Sequence, residues 1–481
     1  MTELSPEPDH PHPPRFYWLK RLSASASLTL LLVAGLWTTL AWRADRRLGD
    51  EFARYRSLGQ PVLPTDFDAT AVPDADNAAP VLFRAPRAIK TNSLTDDDWN
   101  KVGPLWPDRP IPDDEIAPLT RLAEAVAPAR ELVRSARPKK SIDWGLRTHG
   151  SVRNPTSLAN NQEFLGDLIL KCAFLDHHRG DQAAAIEALR DGLFISRAIQ
   201  CDIPTTGTHF YALRMTSRAA NYAAAFATEI ELHATNSTTR PATPSQIRGL
   251  INDLLDDQPL LRHGLRSLYA ERLTQREDAQ VAGRANALRP FFAADALNAV
   301  RGTSIAIDAA SKDTWPAASA KLPPPHAPLP YSSNRPSLSQ LAHPYYPARY
   351  GYATPEESVR GEFQALATRR IAASALAIRL YREDHAGQFP TRLDDLVPDY
   401  LPAVPIDPFS PDHHPLRYVP DSPNPYIYSV GEDATDDRGS EQWITPPDHP
   451  PESFFPWSRR DAVFHLLPGS KLGPPTRPAV P

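Results

Sequence analysis

Twenty-one consecutive residues, Leu22 to Trp42, carry no charge and lie between Arg21 and Arg43. As an α-helix rising 1.5 Å per residue they would reach about 31 Å, the thickness of a bilayer's hydrocarbon core. Their centre is Leu28-Thr29-Leu30-Leu31-Leu32-Val33-Ala34, and Trp18, Trp37 and Trp42 fall where interfacial aromatic rings belong. The stretch predicts one membrane-spanning helix. A cleaved signal peptide and a buried core helix compete for the same residues. The apolar run is longer than a signal core of about 7–15 residues and lacks a clean small-x-small cleavage site before Arg43, so a retained anchor is the expectation.

Flanking charge does not orient this helix, because Arg15, Lys20 and Arg21 on one side face Arg43, Arg46 and Arg47 on the other. The Pro/His-rich tail needs no fold of its own, so residues 1–21 are expected in the cytoplasm and the long remainder outside it. This places the chain in a bacterial inner (cytoplasmic) membrane, single-pass, with a periplasmic or extracytoplasmic body.

With 41% hydrophobic residues the 481-residue chain can bury real cores, whereas its 53 prolines, about twice the usual share, interrupt helices and central strands. Compact blocks joined by irregular connections are the expected result. A formal charge of −5, with arginines scattered among acids, offers no basic stripe for a phosphate backbone and argues against nucleic acid as a partner. Cys172 and Cys201 are at neither framework nor metal-ligand spacing and read as buried thiols.

The expected fold is mainly α. Behind the tail (1–21) and the transmembrane helix (22–42), residues 43–114 read as a helical stalk ending at Gly59-Gln60-Pro61 and a Pro-rich irregular segment. Residues 115–282 form an α-helical domain. Ile116, Leu119, Leu122, Val126 and Val133 share a helix face there, with Pro128 inside the helix. Phe164, Leu165, Leu168, Cys172 and Leu175 mark a second helix, and Ile186, Leu189 and Leu193 a third, turned back at Gly180 as a helical hairpin. Its core resembles the centre of a tetratricopeptide repeat, but no second copy follows at that period. Antiparallel packing would hold Cys172 and Cys201 about 20 Å apart. Thr243-Pro244-Ser245-Gln246 is a capping box that opens another helix. Residues 283–353 read as a Pro-rich linker or loop, 354–440 as a small α+β domain, and 441–481 as a Pro-rich tail.

In the α+β domain, Thr354-Pro355-Glu356-Glu357 starts a long helix through Leu380, followed by strand-like Leu416–Val419 and Tyr426–Val430. The order Tyr381, Gly387-x-Phe389-Pro390, Leu396, Tyr400-Leu401, Pro405-x-Asp407-Pro408-Phe409, Leu416-x-Tyr418, Tyr426-Ile-Tyr-Ser-Val-Gly431-x-Asp433 resembles the globular half of the type II secretion major pseudopilin. The resemblance covers about 60–85 residues and implies a long helix on a small antiparallel sheet. It also implies a calcium ion in the loop after the last motif strand, with Asp433, Asp436 and Asp437 as ligands. Three carboxylates within five residues repel one another unless a hard cation or solvent relieves them, so a solvated acidic turn is the alternative. A pseudopilin carries its membrane segment directly on the long helix; here more than three hundred residues intervene, which argues against assembly into a pilus. The chain as a whole resembles bacterial membrane-anchored proteins of uncharacterised function, a resemblance that implies no activity.

No nucleophile elbow, zinc-protease motif, phosphate loop or dinucleotide fingerprint occurs in the sequence. His177-His178 ends a helix, where the dipole favours a cation, and the neighbours His413-His414 point apart in an extended loop. Asp96-Asp97-Asp98 reads as the acidic first turn of a helix. Two functions follow as expectations: a structural or protein-interaction role in the cell envelope, linked to secretion, with membrane and envelope proteins as partners; or a membrane-tethered hydrolase of envelope polymers with a dispersed site around Glu271-Arg272 and Glu277-Asp278.

Overall fold

The computed structural model describes residues 16–68, 70–103, 105, 107, 110–146, 155–200, 205–234, 239–283, 289–322, 355–444 and 456–468. They are mainly helical and divide into two compact units, Met1–Gln60 with Thr274–Val300 and Pro61–Leu273 with Arg301–Pro481.

The first unit is dominated by α1, Tyr17–Ser57. It is long and apolar enough to cross a membrane. Its 41 residues extend about 60 Å, twice a hydrocarbon core, so the helix continues past the apolar stretch through the expected stalk. The two halves differ in surface. Leu28, Leu30, Leu31 and Leu32 are 59–71% exposed, whereas Leu48, Phe52 and Tyr55 are buried. In the apolar half the hydroxyls of Thr29, Thr38 and Thr39 donate to helix carbonyls of Ser25 and Gly35 at 2.7–3.0 Å, which removes polar groups that hydrocarbon could not solvate. The Arg276 guanidinium lies 4.5 Å over the Phe52 ring.

The second unit begins with the short helices α2 (Ala79–Arg84) and α3 (Asp96–Val102), which lie against α4 (Asp113–Ala136). Thr95 caps α3 as expected for an acidic first turn, and Asp98 is held by both Thr95 and Arg121. Next come α5 (Pro155–His178), α6 (Gln182–Ile199), α7 (Thr206–Ala227), α8 (Pro244–Leu255) and α9 (Gln258–Gly283), whose residues from Thr274 on belong to the first unit. The α5–α6 hairpin turns at Gly180, whose φ of 77° is a left-handed value that glycine adopts without a Cβ penalty. The predicted box opens α8: the Thr243 hydroxyl accepts from the Gln246 amide at 3.2 Å while the Gln246 side chain accepts from the Thr243 amide at 3.0 Å. Helix α7 approaches α5 closely, because a Cβ on Gly166 would sit 2.4 Å from Met215 Sδ.

Two segments differ from the sequence reading. Within 283–353, expected as a linker or loop, lie α10 (Arg289–Ala310) and the short α11 (Trp315–Ser319). The helix formers in α10 are largely alanines, which favour helix without writing a leucine periodicity. Cys201, Thr354 and the proline run after Leu322 lie outside the described residues.

Helix α12 (Pro355–Asp384) packs on α7 and α8 and carries the sheet at its other side. One apolar cluster therefore joins Leu165, Leu189 and Leu250 of the helical layer to Leu376 of α12, Leu416, and Ile427 and Phe464 of the sheet. The sheet has order β1-β2-β3, with β1 (Arg417–Val419) and β3 (Ala462–His465) both antiparallel to β2 (Tyr426–Ser429). Strand β3 falls in 441–481, expected as a Pro-rich tail. Its four residues are too short a run to show an alternation, and they are recognisable only by pairing with β2.

A second apolar cluster holds Trp315, Phe363, Phe409 and Trp457, with Phe409 stacked on Trp457 at 5.0 Å. Asp407 locks this corner. Its buried carboxylate accepts from the Ser429 hydroxyl at 2.7 Å, the Val430 amide at 2.9 Å and the Phe409 amide at 3.0 Å. Gly431 follows at φ 75°, where a Cβ would lie 2.2 Å from the Arg460 carbonyl oxygen. The Asp-Pro-Phe and Ser-Val-Gly segments of the sequence pattern thus meet through one carboxylate.

Candidate functional site

The acidic turn after β2 places its three aspartates on separate donors. Asp433 accepts from the Thr435 amide at 3.0 Å. Asp436 accepts from Arg417 Nε at 3.0 Å, the Tyr428 hydroxyl at 2.9 Å and the Arg438 amide at 3.0 Å. Partial burial works against its charge, but those donors, led by Arg417, hold the carboxyl below its ordinary range. Asp437 pairs with Arg460 at 3.1 Å. Two guanidinium groups thus relieve the carboxylate repulsion that made calcium attractive, and among the described residues no group of three or more His, Cys, Asp or Glu is arranged to hold a metal ion.

The histidine pairs serve ordinary contacts. His177 stacks on Phe226 at 4.2 Å, with Nδ1 2.6 Å from Gln182 Oε1, and the main chain of His414 bonds Asp407 and Ser410. Glu271 is buried and accepts from the Thr206 hydroxyl at 2.9 Å. The side chain of Asp278 lies outside the described residues.

A polar cluster that the sequence does not announce lies where α7, α9 and α12 meet. His209, His263 and Glu362 come from residues more than fifty apart and are all at most 5% exposed. Nε2 of His209 lies 3.5 Å from Oε2 of Glu362, an ion-pair distance without hydrogen-bond alignment, and the two imidazole centroids are 5.3 Å apart. Gly264 makes room for the carboxylate, since a Cβ there would fall 2.2 Å from Glu362 Oε2. Burial raises the Glu362 carboxyl, against the pull of His209. Burial, with His209 beside it, lowers the His263 imidazole well below its ordinary value. Both shifts favour uncharged forms.

His263 also lines a cavity of about 740 Å³, within the range of small-molecule sites. Its wall comes from the connection after α4, from α6, and from the α8–α9 corner. Seven lining residues are Arg or Lys and one, Asp253, is acidic. Three of the cations are neutralised: Arg137 by Glu187 and Asp191, Arg190 by Asp253, and Arg197 by Asp256 at 3.2 Å. The other four are not. Lys139 donates to the carbonyls of Asp74 and Ala75, and Arg266 to the Phe67 carbonyl, all neutral acceptors. Lys140 is 82% exposed and 3.8 Å from Asp76, a solvated pair of little strength. Arg262 is exposed and has no carboxylate partner among the described residues. Leu193, Phe194 and Ile142 supply an apolar side to the same cavity.

Glu271 is not among the lining residues, so the carboxylate on which a hydrolytic site was expected and the cavity are separate features. The one hint in the sequence was Arg262-His263-Gly264-Leu265-Arg266, two cations one helical turn apart flanking a histidine; the remaining wall comes from distant segments. No family model, curated protein or solved structure matches the chain.

Proposed function

We propose that the chain is a single-pass protein of the bacterial inner membrane, anchored through residues 22–42, whose extracytoplasmic helical body serves a structural or protein-interaction role in the cell envelope. The observation that carries this reading is the surface of α1. Leucines 59–71% exposed over successive turns cover the full circumference of the helix, and hydrocarbon is the solvent in which that surface carries no cost. The side-chain hydroxyls turned back onto helix carbonyls agree with it. A link to secretion rests on the pseudopilin-like order from Tyr381 to Asp433.

Protease treatment of spheroplasts, followed by crosslinking and affinity capture of the full chain from detergent extracts, tests both halves. The expected result is retention in the alkali-washed membrane, digestion of the body only from the outer side, and recurrent recovery with the same envelope proteins. Release by alkaline wash would refute the anchor; repeated recovery of the chain alone would refute the interaction role.

A further inference from the structure

We propose that the cavity lined by residues 137–142 after α4, by α6 and by the α8–α9 corner is a binding site for a small phosphorylated ligand with an apolar portion. The reading is independent of the anchor. Three observations carry it. First, the charges on the wall do not cancel: after Arg137, Arg190 and Arg197 are matched with carboxylates, Lys139, Lys140, Arg262 and Arg266 stand without an effective acidic partner. Four like charges around one concavity repel one another, and an entering multivalent anion relieves that repulsion.

Second, Arg262 and Arg266 are one turn apart on α9 and so share a helix face. A guanidinium fork matches the oxygens of a phosphate, and the lysines of the same wall add point charges.

Third, behind the cations the wall has a desolvated polar side chain and an apolar part. His263 is 3% exposed; the main chain of Gln200 takes one hydrogen bond of its ring, and Nε2 has no partner. Leu193, Phe194 and Ile142 beside it accommodate an apolar portion, which a bare inorganic anion would leave unused.

The phosphate could come from a soluble metabolite or from a lipid headgroup. The full-length chain in nanodiscs of uncharged or zwitterionic lipid, titrated calorimetrically with pyrophosphate, gives the first arm. Saturable binding is expected, weakened at least about tenfold by Arg262→Glu and again by Lys140→Glu, and reduced by added salt. Both side chains are solvent-facing, and circular dichroism melting confirms that the variants fold; Arg262→Ala and Lys140→Ala provide the milder pair. In the second arm the disc contains phosphatidylglycerol. Loss of pyrophosphate binding there by the unmodified chain, which binds in the neutral disc, assigns the site to the lipid headgroup, and undiminished binding assigns it to a soluble ligand. No saturable binding in the neutral disc at millimolar pyrophosphate, or the same affinity in all variants, overturns the proposal.

Discussion

Replacing Leu376 by alanine tests whether α12 belongs to the helical layer or only to the sheet. Leu376 is fully buried and belongs to the cluster that runs from α5, α6 and α8 to β2 and β3. The substitution deletes three carbon atoms. At about 0.8 kcal/mol for each buried carbon the transfer loss is about 2.4 kcal/mol. The cavity left in a core walled by several helices brings the total to about 3–4 kcal/mol. Because each 1.4 kcal/mol is a factor of ten, globally exchanging amides should speed up by two orders of magnitude or more, about a hundredfold at the least. Hydrogen exchange of the full chain in detergent reads this locally. The reasoning requires the amides of α5–α6 around Leu168 and Ile195 to accelerate together with those of Ile427 and Phe464. Acceleration confined to 355–466, with α5 and α6 unchanged, would show that α12 and the sheet unfold as a separate unit and refute the shared core. Leu376→Met, which conserves volume, should cost less than about 1.5 kcal/mol and serves as the control.

Gly166→Ala should destabilise by about 1–3 kcal/mol in urea unfolding because its new Cβ meets Met215 Sδ at 2.4 Å, and Met215→Ala should recover part of the loss; strictly additive costs would refute the contact. Asp461 is buried, and burial pushes its carboxyl up to about 6 despite the amides of Ser440, Asp437 and Gly439. The folded chain therefore binds this proton more tightly than the unfolded chain. Its contribution is full below about pH 4 and fades as pH rises through about 6, a swing of about 3 kcal/mol. Stability of the chain relative to Asp461→Asn should accordingly fall between pH 4 and 7, and parallel profiles for the two proteins would remove the assignment. Since Arg417 and Arg460 occupy Asp436 and Asp437, calcium at millimolar concentration should shift melting no more than magnesium does; a calcium-specific rise of several degrees, abolished by Asp433→Ala with Asp437→Ala, would restore the loop as a calcium site.

The features legible in the sequence were those written over a few consecutive turns. The uncharged run before Arg43, the Thr243 box, the glycine turn at Gly180 and the two strands around Tyr418 and Ile427 depend on neighbours within about four residues. Strand β3 depended on a partner more than thirty residues away, and its edges are masked by proline. Helix α10 was hidden because alanine supplies propensity without a hydrophobic stripe. The cavity was illegible for a further reason. Its cations are spread from Arg137 to Arg266 among interspersed acids, and only the fold decides which carboxylates turn inward to meet an arginine.

That sorting is visible at the α4–α6 seam. Asp191 is fully buried between Arg134 and Arg137, and Asp176 meets Arg130 nearby. Burial raises both carboxyls, with the arginines pulling the other way, so desolvation outweighs attraction. Such pairs add little net stability compared with apolar side chains, yet breaking one would strand a buried charge. They tie α4 to α5 and α6. Asp191 and Glu187 meet Arg137 and do not line the cavity, while the chain leaving α4 brings Lys139 and Lys140 to the wall that Arg262 and Arg266 also line. The positive excess of the cavity is thus a consequence of how the helices are locked together, and composition, which is slightly acidic overall, carries no trace of it.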